Sequence, residues 1–311
     1  MTTGARPREG EEGEPTRSVG ELAREALGAL TPAERRVART LLAAYPMAGL
    51  DTVVELARRA RVSAPTVIRF TAKLGFATYA DFQRALKEEL EVRLSSPLTQ
   101  YRAWSEVRAS GVAADAEGGG AASVLESAIQ TFKAGIERTF AALPKSEFDA
   151  AVDLLADGRR PVLAIGGRFS GMLAAYLVAH LQQLRPGASH VHEGLTGQVG
   201  ELLDVGRRHV LVAFDYRRYQ RDTVEFARRA AEQGATVVLF TDPWLSPIAD
   251  VADLVLPAGV EAPSPYDSLV APLALVEAVV AGVVARLGDR PRPRIERFDR
   301  LTRNVVWGQP I

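Results

Sequence analysis

The chain has 311 residues, with 38 basic and 38 acidic side chains and no cysteine. That length calls for about two hydrophobic cores, and the missing thiols exclude disulfides, thiolate metal sites and cysteine nucleophiles. No apolar run in the sequence approaches the roughly 20 residues of a membrane span, so a cytoplasmic protein with no membrane partner is expected.

Residues 1–18 mix both charges with Gly and Pro and lack an apolar segment, which predicts a disordered leader and not a signal peptide. Val19 to Leu30 is a short helical pattern. Thr31, Pro32 and Glu34 then give a cap, a first-turn proline and a capping-box acid, opening a helix to Tyr45 that buries Val37, Leu41 and Leu42. Pro46 and Gly49 break it.

Thr52 and Glu55 repeat the capping-box spacing and start a helix with Val54, Leu56, Ala57 and Ala60 on its apolar side. Ser63 is expected to cap the next helix, with Pro65 in its first turn and Gly75 at its end. At about 100° per residue, Val67, Phe70 and Leu74 share one side, and Thr66, Arg69 and Lys73 a neighbouring one. Two short helices with a tight turn and a polar outward face form the layout of a helix-turn-helix, whose second helix enters the DNA major groove. Ile68 fits neither side and is expected to pack against a third helix. Beyond Gly75, Thr78 caps a helix with Phe82, Leu86 and Leu90 at four-residue spacing. From Thr31 to Lys87 there are ten basic residues against Glu34, Asp51, Glu55 and Asp81. Charge alone fits solvated helix faces; charge and motif together point to double-stranded DNA. The all-α domain is assigned to 19–104 and a Gly-rich linker to 105–122.

A different grammar follows over 123–290. Helical patterns at Ser123 to Leu143 and Lys145 to Ala156 precede apolar runs at Pro161 to Ile165, His209 to Phe214, Thr236 to Phe240 and Asp253 to Leu256. A weaker run lies at Ala188 to His192, and helical segments at Gly171 to Leu184 and Asp222 to Gln233 fall between the runs. Short, continuously apolar strands alternating with helices predict an α/β domain with a parallel sheet covered on both faces. Residues 291–311 read as a tail.

Such sheets hold ligands at the carboxyl ends of their strands. There the first strand meets Gly166-Gly167-Arg168-Phe169-Ser170-Gly171, which has the ingredients of an anion site and is equally compatible with a plain turn. The third strand meets Asp215-Tyr216-Arg217-Arg218-Tyr219-Gln220. Asp215 there is expected beside Arg168 and Arg217, as part of a ligand site or as a closed ion-pair cluster in a domain that only oligomerises. His190, His192 and Glu193 are too few for a metal site, and no cofactor is expected. No nucleophile motif or placed carboxylate pair suggests an enzyme.

The stretch LTPAERRVARTLLAAYP, the helix-turn-helix and LGFATYADFQRAL resemble the N-terminal domain of RpiR-type bacterial transcriptional regulators. VLAIGGRFSG with EFARRAAEQGATVVLFTD resembles the sugar isomerase (SIS) domain these regulators carry. The resemblance implies a homo-oligomer with Ser63, Thr66, Arg69 and Lys73 at the DNA; half-site spacing and the apolar segment Leu269 to Leu287 predict a homodimer or homotetramer on an inverted-repeat operator. It also implies a sensor pocket lined by Gly166, Gly167 and Ser170, to which the residue reading adds Arg168, Asp215 and Arg217. The family's second loop carries phosphate-holding hydroxyls that this chain lacks. A carbohydrate-derived effector such as a sugar acid or phosphosugar is therefore expected, with a sugar acid or polyol favoured by the altered loop. The alternative is an SIS-type isomerase or lyase with an appended DNA-binding domain.

Overall fold

The computed structural model describes residues 18–43, 45–94, 97–109, 121–191 and 195–306, which divide into two compact units between Val92 and Arg93. The expected leader, apart from Ser18, and residues 110–120 of the expected linker lie outside the described residues.

The first unit is helical, as expected: α1 (Val19–Ala26), α2 (Pro32–Ala43), α3 (Met47–Leu50), α4 (Val53–Ala60), α5 (Ala64–Lys73) and α6 (Tyr79–Leu94). Leu41, Leu56, Val67, Phe70, Phe82 and Leu86 are fully buried in one core. Thr52 caps α4 by accepting the Glu55 N–H, and the helix ends at Arg61 in the left-handed region. The Val62 N–H reaches back to the Ala57 carbonyl there, closing the turn that aims α5 away from α4. Two expectations change. Val54 is 70% exposed, because Val53, Leu56, Ala57 and Ala60 are the residues of α4 that face the core, and Ile68 is 44% exposed.

The box at the start of α2 is complete and joined to α5. The Thr31 N–H and hydroxyl both donate to Glu34 Oε2 at 2.8 Å, the Glu34 N–H donates to Thr31 Oγ1, and Lys73 Nζ donates to Glu34 Oε2 at 2.7 Å. Burial alone would raise the Glu34 pKa. Lys73 and the two Thr31 donors outweigh it and bring the carboxyl from the usual 4.5 to about 2. A depressed carboxyl pKa stabilises the fold above about pH 4.5 and ceases to do so as pH falls towards 2. Glu34→Gln is expected to lower stability at pH 7 by about 1–2 kcal/mol, since hydrogen bonds to a charge are lost but Lys73 stays half in water. Urea unfolding of the full chain checks this, with the gap between variant and wild type narrowing at pH 3.

The second unit contains α7 (Pro97–Ala109), α8 (Ala121–Ala142), α9 (Lys145–Ala156), β1 (Val162–Gly166), α10 (Gly171–Leu184), β2 (Ala188–His190), α11 (Leu195–Asp204) and β3 (Val210–Asp215). It continues with α12 (Arg221–Glu232), β4 (Thr236–Thr241), a 3-10 turn (Pro247–Asp250), β5 (Leu254–Pro257), α13 (Val270–Leu287) and α14 (Arg292–Val306). All pairings are parallel, in the order β2-β1-β3-β4-β5. Alternate residues feed two cores. Val162, Val212, Phe214, Val238 and Phe240 pack with α9, α10 and α13 on one face. Leu163, Ile165, Leu211, Ala213 and Leu239 pack with α11, α12 and the 3-10 turn on the other. β1 meets β3 at the centre, so the turns after these two strands stand side by side at the carboxyl edge.

α13 has the length and composition of a membrane helix, but Leu275, Val276, Val279 and Val283 are fully buried against the rest of this unit. Val270, Leu273 and Val284 remain exposed. α14 occupies most of the stretch read as a tail.

Candidate functional sites

In the first unit, α5 turns Pro65, Ile68, Arg69, Ala72 and Lys73 outward. Arg58 pairs with Glu55, Arg59 with Asp51 and Arg84 with Asp81. Arg61 and Arg69 have no carboxylate partner among the described residues, which leaves two uncompensated guanidinium groups at the turn and on α5. Of the four residues expected at DNA, Arg69 is exposed and held in place by Thr66, whose hydroxyl accepts from its guanidinium at 3.1 Å. Thr66 is itself buried. Ser63 occupies the N-cap position without capping: Pro65 has no N–H, the Thr66 N–H goes to the Ser63 carbonyl, and the Ser63 hydroxyl lies 3.0 Å from that of Thr66. Lys73 is half exposed and pinned by Glu34. Sequence reasoning grouped these four as one polar face; three of them form a ladder, Ser63 to Thr66 to Arg69, that orients a single guanidinium.

In the second unit, a cleft of about 610 Å³ opens at the carboxyl ends of β1 and β3. Its lining includes Gly166, Gly167, Arg168, His190, Gln220 and Asp222. Ser170 lies beneath the glycine loop. Its hydroxyl donates to the Phe214 carbonyl at 2.7 Å and accepts the Gly167 N–H at 2.9 Å, stapling the β1 turn to β3. Gly166 is required by close approach: a Cβ there would lie 2.6 Å from the Gly171 nitrogen. The Arg168 side chain is exposed over the Phe169 ring, and its N–H is taken by the Gln220 side-chain carbonyl. Gln220, Asp222 and His190 as cleft residues escaped sequence reasoning, because no motif spacing marks them.

The expected cluster of Asp215 with Arg168 and Arg217 does not form. Asp215 follows Leu211 and Ala213 onto the face covered by α12 and the 3-10 turn, so its carboxylate is buried, accepting from the Ser246 hydroxyl and the Gln220 N–H. Burial pushes its pKa up, Ser246 and Gln220 oppose this, and Asp242 and Asp222 add to it, leaving it at about 7. Arg217 turns instead to Asp267 and lies against Trp244, with its side chain 8% exposed. Arg218 also reaches Asp267. Of the expected ligand residues, Gly166, Gly167 and Arg168 thus line the cleft, Ser170 supports it, and Asp215 and Arg217 are not part of its lining.

The cleft presents one cation in Arg168, one carboxylate in Asp222, the imidazole of His190 and the amide of Gln220, while the N–H groups of Gly167, Arg168, Gly171 and Met172 are already taken within the loop and the first turn of α10. On this lining Arg168 is the one cation, so a ligand with two negative charges would meet a single guanidinium with Asp222 nearby. His192 and Glu193 lie outside the described residues, and among those described no three His, Asp or Glu side chains gather as a metal site.

Residues 19–93 match the model of the helix-turn-helix domain of the rpiR family, and residues 154–282 match the SIS domain. The HTH-type transcriptional regulator HexR of Pseudomonas aeruginosa is 27% identical over 288 residues, spanning 88% of this chain and 91% of that protein. The bifunctional protein glk of Burkholderia thailandensis is 30% identical over 229 residues, 72% of this chain but 32% of that one. The sugar isomerase domain of an RpiR transcription factor from Sphaerobacter thermophilus superposes with a TM-score of 0.52 at 26% identity, covering 57% of this chain and 96% of that one. Vibrio vulnificus NanR complexed with ManNAc-6P gives a TM-score of 0.52 at 17% identity over 92% and 99% of the two chains, a likeness of fold.

Proposed function

From the premise that this chain belongs to the RpiR family of helix-turn-helix transcriptional regulators with a SIS domain, we propose that it binds an inverted-repeat operator as a homodimer or homotetramer and senses a hydroxyl-rich or monocarboxylate metabolite, a polyol or sugar acid, without chemically altering it. The observation that carries the DNA half is the exposed, carboxylate-free Arg69, held by Thr66 on the outward face of α5. Its planar fork suits guanine in the major groove. Ser63 and Thr66 orient it, and Lys73, with three donors, can serve a phosphate while bound to Glu34.

The sensing half rests on the cleft at the β1 and β3 edge, with Gly166, Gly167 and Arg168 as ligand contacts joined by Gln220 and Asp222, and Ser170 as their support. In this reading Asp215 and Arg217 shape the pocket from behind. One reading unit covers few base pairs, so two copies at half-site spacing are required. The exposed Val270, Leu273 and Val284 of α13 and Ile295, Phe298 and Leu301 of α14 offer apolar area for that assembly. The regulator acts in the cytoplasm, where its DNA lies. An SIS isomerase or lyase would need an acid and a base facing the ligand; Asp222 and His190 are the titratable candidates in the cleft, and turnover of a sugar phosphate by the purified chain would favour that second reading.

The test combines DNA binding with assembly. Arg69→Ala is expected to weaken operator binding by about 1–3 kcal/mol and relax sequence preference, with the wild type dimeric or larger by light scattering at micromolar concentration. Full affinity in the variant, or a monomer with and without DNA, rejects the corresponding part of the proposal. Calorimetry with paired phosphorylated and unphosphorylated sugars tests the ligand class, and tight binding of a phosphosugar counts against it.

A further inference from the structure

Val67 and Phe70 of α5 are fully buried and Leu74 nearly so, as expected for a helix packed on its domain. Ile68 is the exception at 44% exposure, one step around the helix from Arg69. The outward stripe that contains them, Pro65, Ile68, Arg69, Ala72 and Lys73, has no acidic residue, and α5 as a whole contains none. Two polar groups on this helix have other occupations, since the Thr66 hydroxyl is buried between Ser63 and Arg69 and Lys73 is joined to Glu34. What the stripe presents to a groove is therefore one guanidinium beside one branched alkyl group.

We propose that Ile68 is a base-reading residue, packing its side chain on the C5-methyl of a thymine next to the base pair read by Arg69. The thymine methyl is the apolar feature of the major groove. A β-branched side chain on a helix is held close to one rotamer, so little freedom is lost on contact. A protein partner is a poorer occupant: a stable protein interface buries on the order of 1,000 Å², whereas on the outward stripe of α5 Ile68 is the one large apolar side chain, beside Arg69, Lys73 and small neighbours. A stripe with cations and no carboxylate is suited to the field of a phosphate backbone. The inference rests on the DNA-binding reading above and adds to it the identity of a second reader.

The full chain selects its preferred duplexes from a randomised pool, and each thymine of the selected site is then replaced by deoxyuridine, which removes only the methyl group. One replacement is expected to weaken wild-type binding about fourfold, the equivalent of one buried methyl group. Ile68→Ala is expected to bind the thymine and deoxyuridine duplexes equally, while Ile68→Val keeps the preference. An Ile68→Ala variant that retains the thymine preference overturns the proposal, as does a wild type indifferent to every replacement. Enrichment of no sequence at all rejects the DNA-binding reading itself. A variant altered in oligomeric state but not in methyl preference assigns Ile68 to a contact between copies, which also overturns it.

Discussion

Asp215→Asn is expected to make the SIS domain more stable at neutral pH and to remove a pH dependence that the wild type carries between about pH 4 and 7. The carboxyl is buried at the end of β3 with two hydrogen-bond donors and, among the described residues, no cation on it, and its pKa rises from 3.8 to about 7. A raised carboxyl pKa means that the folded state holds the proton more tightly than the unfolded chain. Stability therefore falls as pH rises from about 4 to about 7 and is level above that range. A shift of roughly three units corresponds to a penalty of at most about 4 kcal/mol at neutral pH, and the gain on substitution is on the order of 2 kcal/mol because an amide satisfies Ser246 and Gln220 less well. Denaturant unfolding at pH 5 and pH 8 checks it. The wild type should weaken between the two while the variant does not, and an equal slope in both would assign the dependence to another group. Glu34 in the first unit acts in the opposite direction and at lower pH, so the two effects separate by window.

Gly166→Ala is expected to destabilise the same domain by about 3 kcal/mol, the upper part of the range for inserting a methyl group where there is no room. The three nearest atoms to a new Cβ are the Gly171 nitrogen, the Ser170 carbonyl carbon and the Gly171 Cα, at 2.6, 2.7 and 2.8 Å. All are backbone. Either the end of β1 or the start of α10 must move, and the Ser170 bond to the Phe214 carbonyl is strained with it. Gly167→Ala is the control, because there the new methyl meets the flexible end of Gln220. It should cost little stability while displacing the Gln220 carbonyl from the Arg168 N–H. Thermal unfolding of both variants decides: comparable losses would mean that the loop, and not the approach of two backbones, sets the cost.

The fold was largely legible because buried parallel strands and capped helices leave strong marks. β3 and β4 are continuous apolar runs, Thr31 and Glu34 form both halves of the capping box their spacing suggests, and Thr52 forms its half while Glu55 turns to Arg58. α11 was missed because Gly197 and Gly200 weaken its helical pattern, and α14 because its arginines and Pro293 resemble a tail, although Ile295, Phe298 and Leu301 recur every third residue. The site was less legible. A loop sequence gives residue types at the strand ends but not which way each side chain turns. Period-two alternation from Leu211 and Ala213 already sends Asp215 to the α12 face, a signal that is present in the sequence. Asp267, which holds Arg217, lies 50 residues away, and no local pattern connects them.

The two units also differ in how far apart in the chain their contacts lie. α2, α4 and α5 are neighbours in sequence, so the helix-turn-helix unit closes through short loops, whereas Val162 of β1 must wait for Val210 of β3 before the sheet has its central pair. Contacts of low sequence separation form fast, and distant parallel pairings form slowly. Synthesis runs from the N-terminus, and domains generally fold in that order. The part that meets DNA is therefore complete on the ribosome before any strand of the sensor exists, and a chain that stalls between the two emerges as a reader with no means of responding.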